Sequence, residues 1–276
     1  MRRSTTSAAT DRRRTAIGAL LVTELICALF LVGRPHAGPP VVAAPASLTT
    51  PTAASTTATL DDGRTVHLVG LGGARTAPLL ARIAAEMNDA SKAVTAFWGP
   101  AWPLDVFIVA AGTDAEFGAL AGGGPDIAAT TTAERIMFAP GAADMSDASL
   151  RIVLRHELFH FASRPRTAGD APRWLTEGVA DFVGRPSIPR PANGAQFAKL
   201  PTDAELSDPG PAGSQAYDRA WWFTRFVADA DGADALRALY LRACGPGHPD
   251  AATAVRETLG ADLPGVLTRW QKWMSG

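Results

Sequence analysis

The stretch Leu154-Arg155-His156-Glu157-Leu158-Phe159-His160 places two histidines four positions apart, with a glutamate directly after the first. On an α-helix, residues four apart stack on one face, so His156 and His160 present two imidazoles to a single point. Glu157 projects about 100 degrees round from His156 and can reach a water molecule held at that point. Two imidazoles so placed are donors for one zinc ion, and a neighbouring carboxylate is a base for a water that the ion activates. As plain structure the same residues would be packed or capping histidines beside a charge that burial penalises, and nothing would repay that penalty unless something binds there.

A catalytic zinc ion takes three protein ligands and leaves the fourth position for water, so a third donor is required. Positions 163 and 166, where a third histidine ligand and its glycine would follow in one well-known arrangement, hold Ser163 and Arg166. Downstream, Ala171-Pro172-Arg173-Trp174-Leu175-Thr176-Glu177-Gly178-Val179-Ala180-Asp181 offers Glu177, 17 positions after His160, with Asp181 one helical turn beyond it. Glu177 can ligate, and Asp181 can accept the other ring N–H of His156, fixing its tautomer. Asp170, in a Pro/Arg/Gly-rich loop, competes for the role of third ligand, and Glu177 has the alternative of an ordinary solvated helix charge.

These residues need helices to hold them. Ser146 or Asp147 caps a helix predicted to run to about Ala162, with Leu150, Leu154, Leu158 and Phe161 on one side. Upstream, residues 64–69 alternate as a strand, 77–97 repeat with a helical period, 104–110 form a buried strand, 114–120 a short helix, and 130–138 one further strand. Downstream the pattern is helical over 174–183, 216–228, 233–242, 251–259 and 263–273. The expected class is α+β, with a small mixed β-sheet and helices in an N-terminal lobe and an all-helical C-terminal lobe.

The first 14 residues hold five arginines, followed by the 18-residue apolar run 16–33, interrupted only by Thr23 and Glu24. Residues 1–37 are therefore expected to be a signal sequence or a membrane anchor, with the body outside the cytoplasm, either tethered to the membrane through this N-terminal helix or secreted. Residues 38–59, made of Pro, Ala, Thr, Ser, Gly, Val and Leu without charge, are expected to be a linker, and residues 60–276 the folded domain. Beyond residue 37 there are 20 positive and 25 negative charges and no polybasic block, which argues against nucleic acid as a partner. Cys27 lies in the apolar run and Cys244 far downstream, so the body has neither an internal disulfide nor a thiolate zinc cluster, and any metal must use His and carboxylate.

His156-Glu157-x-x-His160 followed by Pro172-x-Trp174-Leu175-x-Glu177-Gly178-x-Ala180 resembles the gluzincin metallopeptidases, in particular the bacterial peptidase MA-like group with its W-L-x-E-G-x-A signature. The resemblance covers about 150 residues and is specific in about 25 of them. It implies a zincin-like fold, His156, His160 and Glu177 as zinc ligands, Glu157 as general base and Asp181 as the residue that orients a ligand. It also implies an aromatic hydroxyl that stabilises the oxyanion. Of the two tyrosines, Tyr217 matches that position, while Tyr240 lies in an apolar stripe and is expected in the core; His248 would serve only if its loop folds back. The G-x-M-E-N strand of the aminopeptidases is absent, which points away from amino-terminal trimming and towards an endopeptidase acting on peptide or protein substrates. Two functions stay open: a zinc peptidase, or a membrane-tethered zincin-fold scaffold that binds without turnover. An intact Glu157 favours the enzyme, because binding alone does not need a base.

Overall fold

The computed structural model describes residues 54–122 and 127–276. The proposed signal or anchor at 1–37 and most of the 38–59 linker lie outside the described residues. Among the described residues, no helix is long and apolar enough to cross a membrane.

Five strands form one mixed sheet in the order β1-β2-β3-β5-β4. They are β1 (Ala54–Thr59), β2 (Thr65–Gly70), β3 (Asp105–Ala110), β4 (Ala129–Thr131) and β5 (Ile136–Phe138). The three central strands β2, β3 and β5 are parallel, and the edge strands β1 and β4 run antiparallel to their neighbours. The linker therefore ends earlier than composition suggests, since Ala54–Thr59 pairs along its whole length with Thr65–Gly70. All six β1 residues are exposed, so this strand is held by its backbone ladder and leaves no apolar signature. The single strand expected over 130–138 is a hairpin, β4 and β5, turned by Thr132-Ala133-Glu134-Arg135.

Alternation along the strands sorts side chains between two faces. Val66, Leu68, Val106, Ile108, Ile136 and Phe138 are buried in the main core, beneath α1 (Thr76–Trp98) and α3 (Asp147–Ser163). On the other face, Val109 and Met137 meet Phe117 of α2 (Asp114–Ala121) in a small second cluster. Helix α1 buries Leu79, Leu80, Ile83, Met87, Ala90, Val94 and Trp98, a stripe at three- and four-residue steps. Helix α3 starts where the Ser146 hydroxyl accepts from the Ser149 amide, a cap that stabilises by about 1 kcal/mol.

The second half is helical: α4 (Arg173–Gly184), α5 (Asp203–Leu206), α6 (Pro211–Asp231), α7 (Ala233–Cys244), α8 (Ala251–Leu259) and α9 (Leu263–Ser275). Helix α4 is wedged between α3 and α6. It approaches both through glycine: a Cβ on Gly178 would lie 2.6 Å from the Ala220 carbonyl oxygen, and one on Gly184 would lie 3.0 Å from that of Ile152. Thr224 on α6 donates to the Gly178 carbonyl at 2.9 Å, joining the two helices across this contact. The result is a stack, sheet to α3 to α4 to α6, in which every residue from His156 to Ser163 is buried.

Candidate metal centre

The second half of α3 and the first half of α4 face each other, and their polar side chains converge. His156 Nε2 and His160 Nε2 lie 3.0 Å apart, and Glu177 Oε2 lies 3.3 Å from the first and 3.5 Å from the second. Four ligands arranged tetrahedrally at zinc distances are separated by about 3.3 Å, so these three contacts are the edges of one face of such a tetrahedron. Among the described residues, His156, His160 and Glu177 form the one His/Cys/Asp/Glu group whose donor atoms could hold a metal ion.

The electrostatics fit a cation at that point. Glu177 is fully buried, and no hydrogen bond reaches either of its carboxylate oxygens. Burial by itself would raise its pKa, but the two imidazoles outweigh that and hold it at about 2. Burial would likewise strip the proton from His156, yet Asp181 and Glu177 push it up to about 10. Two carboxylates around two imidazoles thus favour positive charge at the convergence point, and a divalent ion satisfies that preference without a proton. His156 Nδ1 lies 2.9 Å from Asp181 Oδ1, so Asp181 can accept the ring hydrogen there, and a metal ion that displaced the second proton would find the Nε2 lone pair.

Glu157 stands beside the donor set and is not part of it. The Thr131 hydroxyl donates to Glu157 Oε2 at 2.7 Å and lies 2.9 Å from the carbonyl oxygen of the same residue. Glu157 is 2% exposed, which limits competition from water for that hydrogen bond.

No protein-family model matches the chain, and no curated protein matches it. Solved structures do. The chain is similar to an M1 zinc metallopeptidase from Deinococcus radiodurans, at 17% identity and a TM-score of 0.49 over 81% of this chain and 52% of that one. It is similar over the same shares to a variant from Deinococcus radiodurans bound to a Tyr-Ser-Ala substrate, at 18% and 0.49. A two-domain M1 zinc metallopeptidase variant bound to L-arginine matches at 17% and 0.48, again over 81% and 52%. The chain spans about half the length of these proteins.

Of the residues singled out in the sequence, His156, Glu157, His160, Glu177 and Asp181 come together. Asp170 does not: its side chain is 87% exposed and pairs with His248 Nε2 at 3.3 Å, so of the two carboxylates weighed in the sequence it is Glu177 that lies with the histidines. Tyr240 is core, as expected, with its hydroxyl engaged by Ser163 and Thr167 and its ring packed edge-on against Trp98 and Phe159. Tyr217 is 1% exposed on α6, the helix that packs against α4. Thr131 is absent from the sequence-based set, because its partner Glu157 lies 26 residues away and no spacing rule joins them. Arg185 is absent too, although its place four residues after Asp181 on a helix was a usable signal.

Proposed function

We propose that the chain is a zinc-dependent peptidase that hydrolyses internal peptide bonds outside the cytoplasm. The observation that carries this is the convergence of His156, His160 and Glu177 at tetrahedral spacing beside a glutamate that is held apart from them. Zinc bound to these three residues would supply a Lewis acid that polarises the scissile carbonyl and acidifies water. Glu157 takes the proton from the attacking water and returns it to the leaving amine. Thr131 keeps the Glu157 carboxylate aimed while it does so. Asp181 holds the His156 ring in the tautomer and orientation that ligation needs. Tyr217 donates to the oxyanion from the α6 side.

The peptide adds as an extended strand along β4, whose outer side pairs with no strand among the described residues. Thr131 lies on that strand and touches Glu157, so a chain aligned there would run past the base. The absence of G-x-M-E-N supports internal cleavage, and the arginine leader with its apolar run supports tethering or secretion.

The test is zinc content of the purified full chain together with hydrolysis of a casein-derived peptide library, half of it with blocked amino termini. Wild type should carry about one zinc and cleave both halves. Glu157→Gln should keep the zinc and lose hydrolysis by about 10² to 10⁴-fold. Cleavage confined to free amino termini would replace the endopeptidase assignment with an exopeptidase, and zinc retention with no turnover in wild type would leave a binding scaffold.

A further inference from the structure

Asp181 spends one carboxylate oxygen on His156, and a cation stands at the other. Arg185, one turn further along α4, places Nη2 2.8 Å from Asp181 Oδ2. Its Nη1 donates to Asp218 Oδ1 at 2.6 Å, across the interface on α6. The guanidinium lies over the Trp221 indole, 5.2 Å from the ring centroid. The Arg185 side chain is 13% exposed and that of Asp181 is sealed, whereas Asp218 reaches solvent at 36%.

Charge explains why a cation belongs there. Glu157, Glu177 and Asp181 are three buried carboxylates within one cluster. A divalent ion held there would balance two of them, and Arg185 supplies the third positive charge from inside the protein; Asp218, also paired with Arg185, is 36% exposed and so screened by solvent. A buried carboxylate without such compensation is strongly unfavourable. Geometry explains why the cation is an arginine. Its planar fork engages two carboxylates at once, whereas a lysine ammonium is a point charge on a flexible stem. With Oδ2 facing the guanidinium in this ion pair, Oδ1 is turned towards His156. Asp218 directly follows Tyr217, so the same fork ties that turn of α6 to the helix bearing Glu177.

We propose that Arg185 is a positioning residue for the metal centre: through Asp181 it fixes the ring of His156, and through Asp218 it holds the Tyr217 turn of α6 against α4. This rests on His156, His160 and Glu177 holding zinc.

The experiment measures zinc affinity of the full chain by chelator competition, the visible spectrum of the cobalt-loaded protein, and kcat and KM, with far-UV circular dichroism as the folding control. Arg185→Gln should bind zinc about tenfold more weakly and shift the cobalt bands, as loss of an outer partner of a ligating histidine does. Asp218→Asn should keep zinc affinity within about twofold while kcat falls about three- to tenfold at nearly constant KM, because only the α6 attachment is lost. Arg185→Lys should recover zinc affinity through Asp181 but keep the kcat defect of Asp218→Asn. If Arg185→Gln fails to fold, the lysine and Asp218 variants decide the matter. Wild-type zinc affinity and cobalt spectrum in folded Arg185→Gln, or wild-type kcat in both Arg185→Lys and Asp218→Asn, would overturn the proposal. Failure of wild type to bind zinc would instead overturn the metal site itself.

Discussion

Gly178 follows Glu177, the third residue of the proposed donor set, and its substitution by alanine separates two opposing effects of known size. Within a helix, alanine is favoured over glycine by about 1 kcal/mol, so an unconstrained site would gain stability from the change. Here the new Cβ would lie 2.6 Å from the Ala220 carbonyl oxygen, 2.9 Å from its carbon and 3.0 Å from Thr224 Cγ2. The first two atoms are helix backbone and cannot turn aside, so relief to an ordinary contact of about 3.4 Å requires α4 and α6 to part by roughly 0.8 Å. Overpacking of this kind costs typically about 1–3 kcal/mol and outweighs the propensity gain. Parting the helices also stretches the 2.9 Å bond from Thr224 to the Gly178 carbonyl.

The displacement reaches the site because Glu177 is the adjacent residue. Its Oε2 has to sit 3.3 and 3.5 Å from two imidazole nitrogens on a different helix, α3, which the substitution does not touch. A shift of several tenths of an ångström moves one candidate donor relative to the other two. Gly178→Ala is therefore expected to lose about 1–2 kcal/mol in urea unfolding of the zinc-free chain, and to weaken zinc as well. An alanine variant as stable as wild type or more so, with unchanged zinc affinity, would show that α4 and α6 are not held at this spacing.

Glu177→Gln should release zinc, since a neutral amide is a poorer ligand than a carboxylate for a dication; metal analysis after dialysis checks this, and retention equal to wild type would remove Glu177 from the donor set. Thr131→Val should keep zinc but lower kcat about tenfold, because the Glu157 carboxylate loses its 2.7 Å donor; unchanged kcat would make the contact incidental. Phe159→Ala should cost about 3–5 kcal/mol in urea unfolding, as the ring is fully buried and packs edge-on against Trp98 and Tyr240. Burial tends to raise the pKa of Asp62, but hydrogen bonds from Ser91 and Arg64 outweigh it and hold the carboxyl below its ordinary 3.8. A depressed carboxylate contributes stability above its unfolded value and loses it as pH falls through the folded one. Asp62→Asn should accordingly lose less stability than wild type between about pH 5 and about pH 3, and equal losses would refute the coupling.

What the sequence exposed and what it hid follow from range. His156, Glu157 and His160 are legible because one helical turn sets their geometry, and the Ser146 cap announces the helix that supplies it. The apolar stripes of α1 and α9 are legible for the same local reason, since burial repeats at every turn. Strand β1 is hidden because none of its side chains is buried, so a ladder of backbone bonds joins the sheet without any hydrophobic signal. The β4–β5 turn is hidden because it contains neither glycine nor proline; the Thr132 hydroxyl forms it instead, with contacts to Arg135 O, Glu134 N and Arg135 N. The four residues of α5 are too short for a period, though the Thr202–Glu205 capping box marks where it starts.

The polar cluster explains why so much of the surrounding packing is glycine and aromatic. Five ionisable side chains, His156, Glu157, His160, Glu177 and Asp181, are nearly or fully inaccessible, and each costs free energy unless its partner is fixed in place. Fixing partners on two helices requires that the helices cannot slide. Gly178 and Gly184 allow α4 close against α6 and α3, so that Thr224 and Asp181 reach across, while Phe159, Trp98 and Tyr240 immobilise the outer side of α3. A looser interface would let water in to solvate the carboxylates, and the preference for a cation at their centre would fall with the higher local dielectric. The tight packing and the candidate metal site are thus one device: close approach creates the buried charge, and the buried charge favours a cation at the point where His156, His160 and Glu177 converge.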